Sequence, residues 1–116
     1  MRVLYFSRDY TTHDRRFVAA FHRKYPSAGM PNQPAAATYD AIYLLRDVIA
    51  QVGPDRAAVR RALAGVGSIS PAFEGVTGTV AFDGSGDVPN QNVYIGLVRH
   101  GAVEVVDGSN TPVGTR

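Results

Sequence analysis

Residues 34–52 constrain this chain more than any other part of it. Ile42, Leu45, Ile49 and Val52 recur at i, i+3, i+7 and i+10, which predicts a helix with an apolar stripe. Asn32 is placed to cap that helix, Pro34 falls at its start, where a missing N–H costs little, and Gly53-Pro54 stops it. Ala35, Ala36, Ala37, Ala41, Leu44, Val48 and Ala50 fill most other positions. Only Asp40, Arg46, Asp47 and Gln51 remain clearly polar in the helix body. Such a helix is expected to be covered on most sides, with Tyr39, Ile42 and Leu45 as core residues. The chain has 116 residues, about one small domain, and a domain of that size buries only about two-thirds of its unfolded surface. Cover is therefore scarce.

Around this helix the pattern changes twice. Val3-Leu4-Tyr5-Phe6 is a short β-branched and aromatic run that reads as a buried strand. Thr11 or Thr12 can cap a following helix with Asp14 in its first turn and Phe17, Val18, Phe21 and Tyr25 at helical spacing, ending at Tyr25-Pro26. Pro26 to Gln33 reads as a loop or connector. Asp55 caps a third helix through Val59, Ala62 and Leu63, with Arg56, Arg60 and Arg61 on its outer face, ending near Gly65. Strands are then expected at Gly78–Phe82, Val93–Val98 and Val103–Val106, the last two joined by a hairpin turn at Arg99-His100-Gly101-Ala102. Strand, three helices and strands make an α/β or α+β chain. Its opening strand is separated by some sixty residues from the next, so its pairing partner is distant in sequence.

Several kinds of chemistry lack support. Without cysteine there is no disulfide, thiolate zinc site or cysteine nucleophile. His13, His22 and His100 match no compact metal pattern, His22 reading as a helix-flank residue and His100 as a turn residue. Asp83-Gly84-Ser85-Gly86-Asp87 imitates the opening of a calcium loop but has Val88 at the sixth place and Tyr94 at the twelfth, so it reads as a tight turn. Gly65-Val66-Gly67-Ser68-Ile69-Ser70 follows a helix and precedes strands, the reverse of a phosphate-binding context. Asp14, Asp40, Asp47 and Glu74 form no fixed carboxylate pair and read as solvated or capping groups. A net charge of +2 and an arginine face without aromatic platforms give no case for nucleic acid. The run before Arg8-Asp9 is too short for a signal peptide, and no window approaches the roughly 18 apolar residues of a membrane span. No metal, cofactor or catalysis is expected.

Three phrases in sequence point further: Phe17-Val18-Ala19-Ala20-Phe21-His22-Arg23-Lys24-Tyr25, then Ala36-Ala37-Thr38-Tyr39-Asp40-Ala41-Ile42-Tyr43-Leu44-Leu45, then Phe73-Glu74-Gly75-Val76-Thr77-Gly78-Thr79-Val80-Ala81-Phe82-Asp83 with Gly86-Asp87. Together with Val93–Val98 and Val103–Val106 they resemble the C-terminal third of the substrate-binding proteins of branched-chain amino acid ABC transporters, the leucine/isoleucine/valine-binding family of type I periplasmic binding proteins.

The resemblance implies an α/β chain with a partial type I periplasmic-binding-protein fold: strand, three helices, then C-terminal strands, without most of the two lobes. Residues 1–8 would be a strand of the second lobe, and 9–88 the crossover and helical part of the N-terminal lobe. Residues 89–107 would be the C-terminal strands and 108–116 a flexible tail. It implies capture of a small solute, an amino acid or similar, for an ABC permease in the periplasm or outside the cell, membrane-associated only through that partner. Ligand-binding residues map onto Pro34, Ala35 and Thr38. By the same resemblance most of the groups that grip the ligand's charged ends lie in segments that would precede Met1, so the isolated chain should bind weakly or not at all. A sensory ligand-binding region, a self-standing interaction domain and an enzyme subunit are the alternative readings. Incomplete cores and open strand edges further predict a homo-oligomer formed by strand pairing or exchange.

Overall fold

A computed structural model of the chain describes residues 2–6, 15–29, 31–89 and 93–106. The elements run β1 (Arg2–Phe6), α1 (Arg15–Lys24), α2 (Gln33–Val52), α3 (Arg56–Ala64), β2 (Phe73–Gly75), β3 (Gly78–Val80), β4 (Val93–Arg99) and β5 (Ala102–Val106). Thr11, Thr12, His13, Asp14, the start of the expected 9–88 segment and the 108–116 tail lie outside the described residues.

The distant opening strand finds its partner at the far end of the chain. β1 lies antiparallel to β4 from Arg2 opposite Leu97 to Phe6 opposite Val93, and β4 continues antiparallel to β5, so the sheet order is β1-β4-β5. The β4–β5 turn is His100-Gly101, with φ of 49° and 75°. Two successive positive φ values are what a two-residue primed turn needs, so the hairpin expected at Arg99–Ala102 forms there. A second, two-stranded sheet pairs β2 with β3, Phe73 opposite Val80 and Gly75 opposite Gly78. The sequence pattern missed β2, which is only three residues long, and carried β3 from its observed start at Gly78 two residues past its end at Val80.

The two predicted caps that fall among the described residues, Asn32 and Asp55, form. The Asn32 side chain accepts the Ala35 N–H at 3.0 Å and the Asp55 carboxylate accepts the Ala58 N–H at 2.8 Å, each satisfying one of the orphan donors of a helix start.

Helix α2 is the spine of the molecule. Near its N-terminus Ala36 packs with Phe17 of α1 and Val76, and Val18 lies against them. Further along, Leu44 and Val48 pack with Val66 under Val59, Ala62 and Leu63 of α3 and Phe73, Val80 and Phe82 of the small sheet. The radius of gyration is 16.4 Å, against about 13 Å for a compact domain of this length.

The expected orientation of α2 requires correction. Its buried residues are Ala36, Asp40, Leu44 and Val48, an i+4 row, while Ile42 is 61% and Ile49 42% exposed, with Leu45, Val52 and Tyr39 also exposed. The helix carries more apolar surface than α1, α3 and the β2–β3 hairpin can cover. The row that fits their narrow groove is the one with Ala36 at its tight end. Tyr39 is not a core residue either. Its ring lies 5.0 Å from Phe17 and 4.6 Å from Tyr43 in a partly exposed ladder that continues to Arg46, whose guanidinium sits 4.6 Å over Tyr43.

Candidate functional site

Among the described residues the buried charged group is Asp40, at 5% exposure. It is not a solvated or capping carboxylate, as its sequence context suggests. Oδ1 accepts the Val76 N–H at 2.8 Å, and Oδ2 accepts the Thr77 N–H at 2.9 Å together with the Thr77 hydroxyl. A buried carboxylate is tolerable only with such donors, and here they are the amides of the tight turn between β2 and β3. A Cβ on Gly75 would overlap that carboxylate, so the glycine is fixed by close approach. Asp40 thereby pins the hairpin at residues 73–80 onto the middle of α2. Two of the three sequence phrases quoted above are joined by this one side chain. An acidic residue alone in an apolar helix body, and a Gly-Val-Thr-Gly turn with amides to satisfy, were the available signals.

Pro34 and Ala35 sit on the first turn of α2 and Thr38 on the second, one turn beyond Pro34. Pro34 and Thr38 are exposed and Ala35 is half-buried. The Ala35 N–H is taken by Asn32, the Ala36 N–H by the Asn32 carbonyl at 3.2 Å, and Pro34 has none to give. The Thr38 hydroxyl turns back to donate to the Pro34 carbonyl at 2.7 Å. This end of the helix presents a pyrrolidine ring and small methyl groups rather than a cradle of free N–H donors. It suits contact with an uncharged part of a ligand better than capture of an anion.

The loop after α3 is closed on itself. The N–H groups of Ser68, Ile69 and Ser70 all donate to the Gly65 carbonyl, at 3.0, 2.9 and 3.0 Å. They are unavailable to a phosphate, in keeping with the reading that set such a loop aside. Asp83 Oδ1 likewise accepts the N–H groups of Ser85 and Asp87, at 2.8 and 3.0 Å, so the calcium-like run is a hydrogen-bonded turn. Thr79 donates to Glu74 across the β2–β3 pair, and Asp47 is bridged to Arg46 at 2.8 Å. Among the described residues no three His, Asp or Glu side chains are grouped to hold a metal ion, and no helix is long and apolar enough to cross a membrane.

Comparison with known proteins gives a consistent result. The periplasmic binding protein profile matches residues 2–102. The structure is similar to that of a leucine-binding protein, LivK, from Thermotoga maritima, with a TM-score of 0.72 and 22% identity over 92% of this chain and 30% of that one. It is also similar to an ABC transporter substrate-binding protein from Desulfitobacterium hafniense solved in complex with Leu, with a TM-score of 0.66 and 28% identity over 90% of this chain and 30% of that one. No curated protein matches. The chain spans about 30% of the length of these two solved relatives. The α/β order, the β1–β4 pairing across the whole chain and the profile match over 2–102 agree: this chain belongs to the periplasmic binding protein family and carries part of that family's fold.

Proposed function

We propose that the chain forms part of a solute receptor that captures an amino acid or a similar small solute for an ABC permease, in the periplasm or outside the cell, without catalysis. The observation that supports this most directly is the profile match across residues 2–102, joined by likeness to a relative solved with Leu. Within that reading Pro34, Ala35 and Thr38 contact the uncharged part of the ligand, because the start of α2 offers a ring and methyl groups, Pro34 has no N–H and the Ala35 and Ala36 N–H groups are bonded to Asn32. The ammonium and carboxylate of an amino acid are held by parts of the family fold outside these 116 residues. A one-sided contact cannot exclude water from a small charged ligand, so affinity of this chain alone is low. The chain also self-associates, since its apolar surfaces and strand edges are incompletely covered.

The test is a titration of the isotopically labelled chain with leucine, followed by amide chemical shifts. Small, millimolar-range shifts at Ala35 and Thr38 are expected. Shifts that cluster elsewhere, or none at saturating leucine, would remove these residues from the site.

A further inference from the structure

We propose that the outer faces of α1 and α3 form one cationic surface that docks on an anionic membrane. This stands apart from the solute reading, since it uses none of the residues assigned to the ligand. Seven of the chain's 12 Lys and Arg residues lie in these two helices: Arg15, Arg16, Arg23 and Lys24 in α1, and Arg56, Arg60 and Arg61 in α3. All seven are exposed, and neither helix contains an acidic residue. Helix stability does not account for the pattern, because Arg15, Arg16 and Arg56 stand in first turns, where the helix dipole disfavours cations. Both helices pack on the same row of α2, α1 at Ala36 and α3 at Leu44 and Val48. The surfaces they turn away from α2 therefore share one side of the molecule. On α3, Arg60 and Arg61 fall roughly 110° and 150° around the axis from the centre of the packed Val59, Ala62 and Leu63 side.

Unlike an apolar stripe, this surface carries a reason to stay clear of other protein in the fold. Among the described residues Arg56, Arg60 and Arg61 form no ion pair, whereas Arg46 and Arg99 are paired with Asp47 and Glu104. Burying unpaired guanidinium groups is costly, and a hydrated or anionic surface does not demand it. Each basic helix is also followed by an exposed apolar side chain. Tyr25, 51% exposed, adjoins Arg23-Lys24, and Ile69, 92% exposed, lies in the loop beyond Arg60-Arg61. Ile69 is held out firmly: its N–H and those of Ser68 and Ser70 all donate to the Gly65 carbonyl. Cations beside exposed aliphatic and tyrosine side chains match a bilayer surface, which offers phosphate at the headgroups and hydrocarbon just beneath. A protein partner would need acids fixed opposite cations spread over two helices, while a fluid layer of anionic lipid rearranges to meet them.

The test is co-sedimentation of the 116-residue chain with vesicles at about 0.1 M salt, where charges act over about 10 Å. Vesicles of equal parts phosphatidylglycerol and phosphatidylcholine should retain the chain, and pure phosphatidylcholine should not. Each cation near an anionic bilayer is worth about fivefold in partitioning, so R60Q/R61Q should weaken retention at least about tenfold. R46Q/R99Q removes the same formal charge from paired sites elsewhere and should weaken it by less than about threefold. Ile69→Ser should weaken it about fourfold, roughly the worth of one inserted CH2 group. Should R60Q/R61Q lose its helical circular dichroism, R23Q/K24Q on α1 takes its place with the same expectation. No retention on the anionic vesicles, or equal losses in the two charge-matched variants, overturns the cationic face. Equally tight binding to soluble polyglutamate, compared per negative charge, overturns the membrane as occupant in favour of an acidic protein.

Discussion

Two faces of one helix carry similar side chains and meet different fates. On one, Ala36, Leu44 and Val48 are buried beneath α1, α3 and the β2–β3 hairpin, with Asp40 among them holding that hairpin by three hydrogen bonds. On the other, Ile42, Leu45, Ile49 and Val52 have larger apolar side chains on average and stay exposed. Hydrophobicity alone does not choose the buried face. Shape and anchoring do: on the buried row Ala36 admits the Phe17 ring and Val76, and Asp40 meets the amides of the β2–β3 turn.

The contrast predicts unequal costs for changes to the two faces. Leu44→Ala should destabilise the chain by about 3 kcal/mol, because it removes a core side chain and leaves a cavity beneath α3 and the small sheet. Chemical denaturation followed by circular dichroism measures this. A loss under about 1 kcal/mol would mean that the Leu44 cluster collapses around the gap and adds little. Next, Asp40→Ala should cost about 2 kcal/mol, since it strands the buried Val76 N–H and leaves Thr77 with two unmade bonds. Hydrogen exchange should localise that effect, with the Val76 and Thr77 amides losing protection before those of α3. Equal loss of protection across the molecule would show Asp40 to be a global core element instead.

Much of this architecture was legible in the sequence, for identifiable reasons. Caps and stops are local: Asn32, Asp55 and Gly53-Pro54 act on amides or dihedrals within three or four residues, so the bounds of α2 and α3 came out close. The His100-Gly101 turn is local in the same way. The orientation of α2 is not, because an apolar stripe shows that a helix wants cover without showing which neighbour exists to give it. The role of Asp40 depends on amides 36 and 37 residues away, a pairing no local pattern contains. Pro34, Ala35 and Thr38 were placed through a family resemblance, and their geometry adds a reason to expect contact with the uncharged part of a ligand.

The capping of α3 offers a smaller test of the same division. Asp55→Ala removes the acceptor of the Ala58 N–H at an exposed helix start and should cost about 1 kcal/mol. Thermal melts of this variant and of Asp55→Asn, which restores an acceptor, separate the cap from charge effects. If both lose the same amount, the Asp55 charge at the helix start matters more than its hydrogen bond.

The smallest effect belongs to the exposed face and is the most informative. Ile42→Ser replaces a side chain that is 61% exposed, so at dilution, where the chain is monomeric, it should change stability by less than about 0.5 kcal/mol. At concentrations where copies meet, the same substitution should weaken the proposed self-association, because serine removes apolar area from the exposed stripe. Denaturation midpoints measured at two protein concentrations distinguish the two contributions, since only a dimer gains stability by mass action. A midpoint that rises with concentration in the original chain but not in Ile42→Ser would tie the exposed stripe to association. A large loss at dilution, matching that of Leu44→Ala, would instead mean that Ile42 is covered within the single chain and that α2 has no free face.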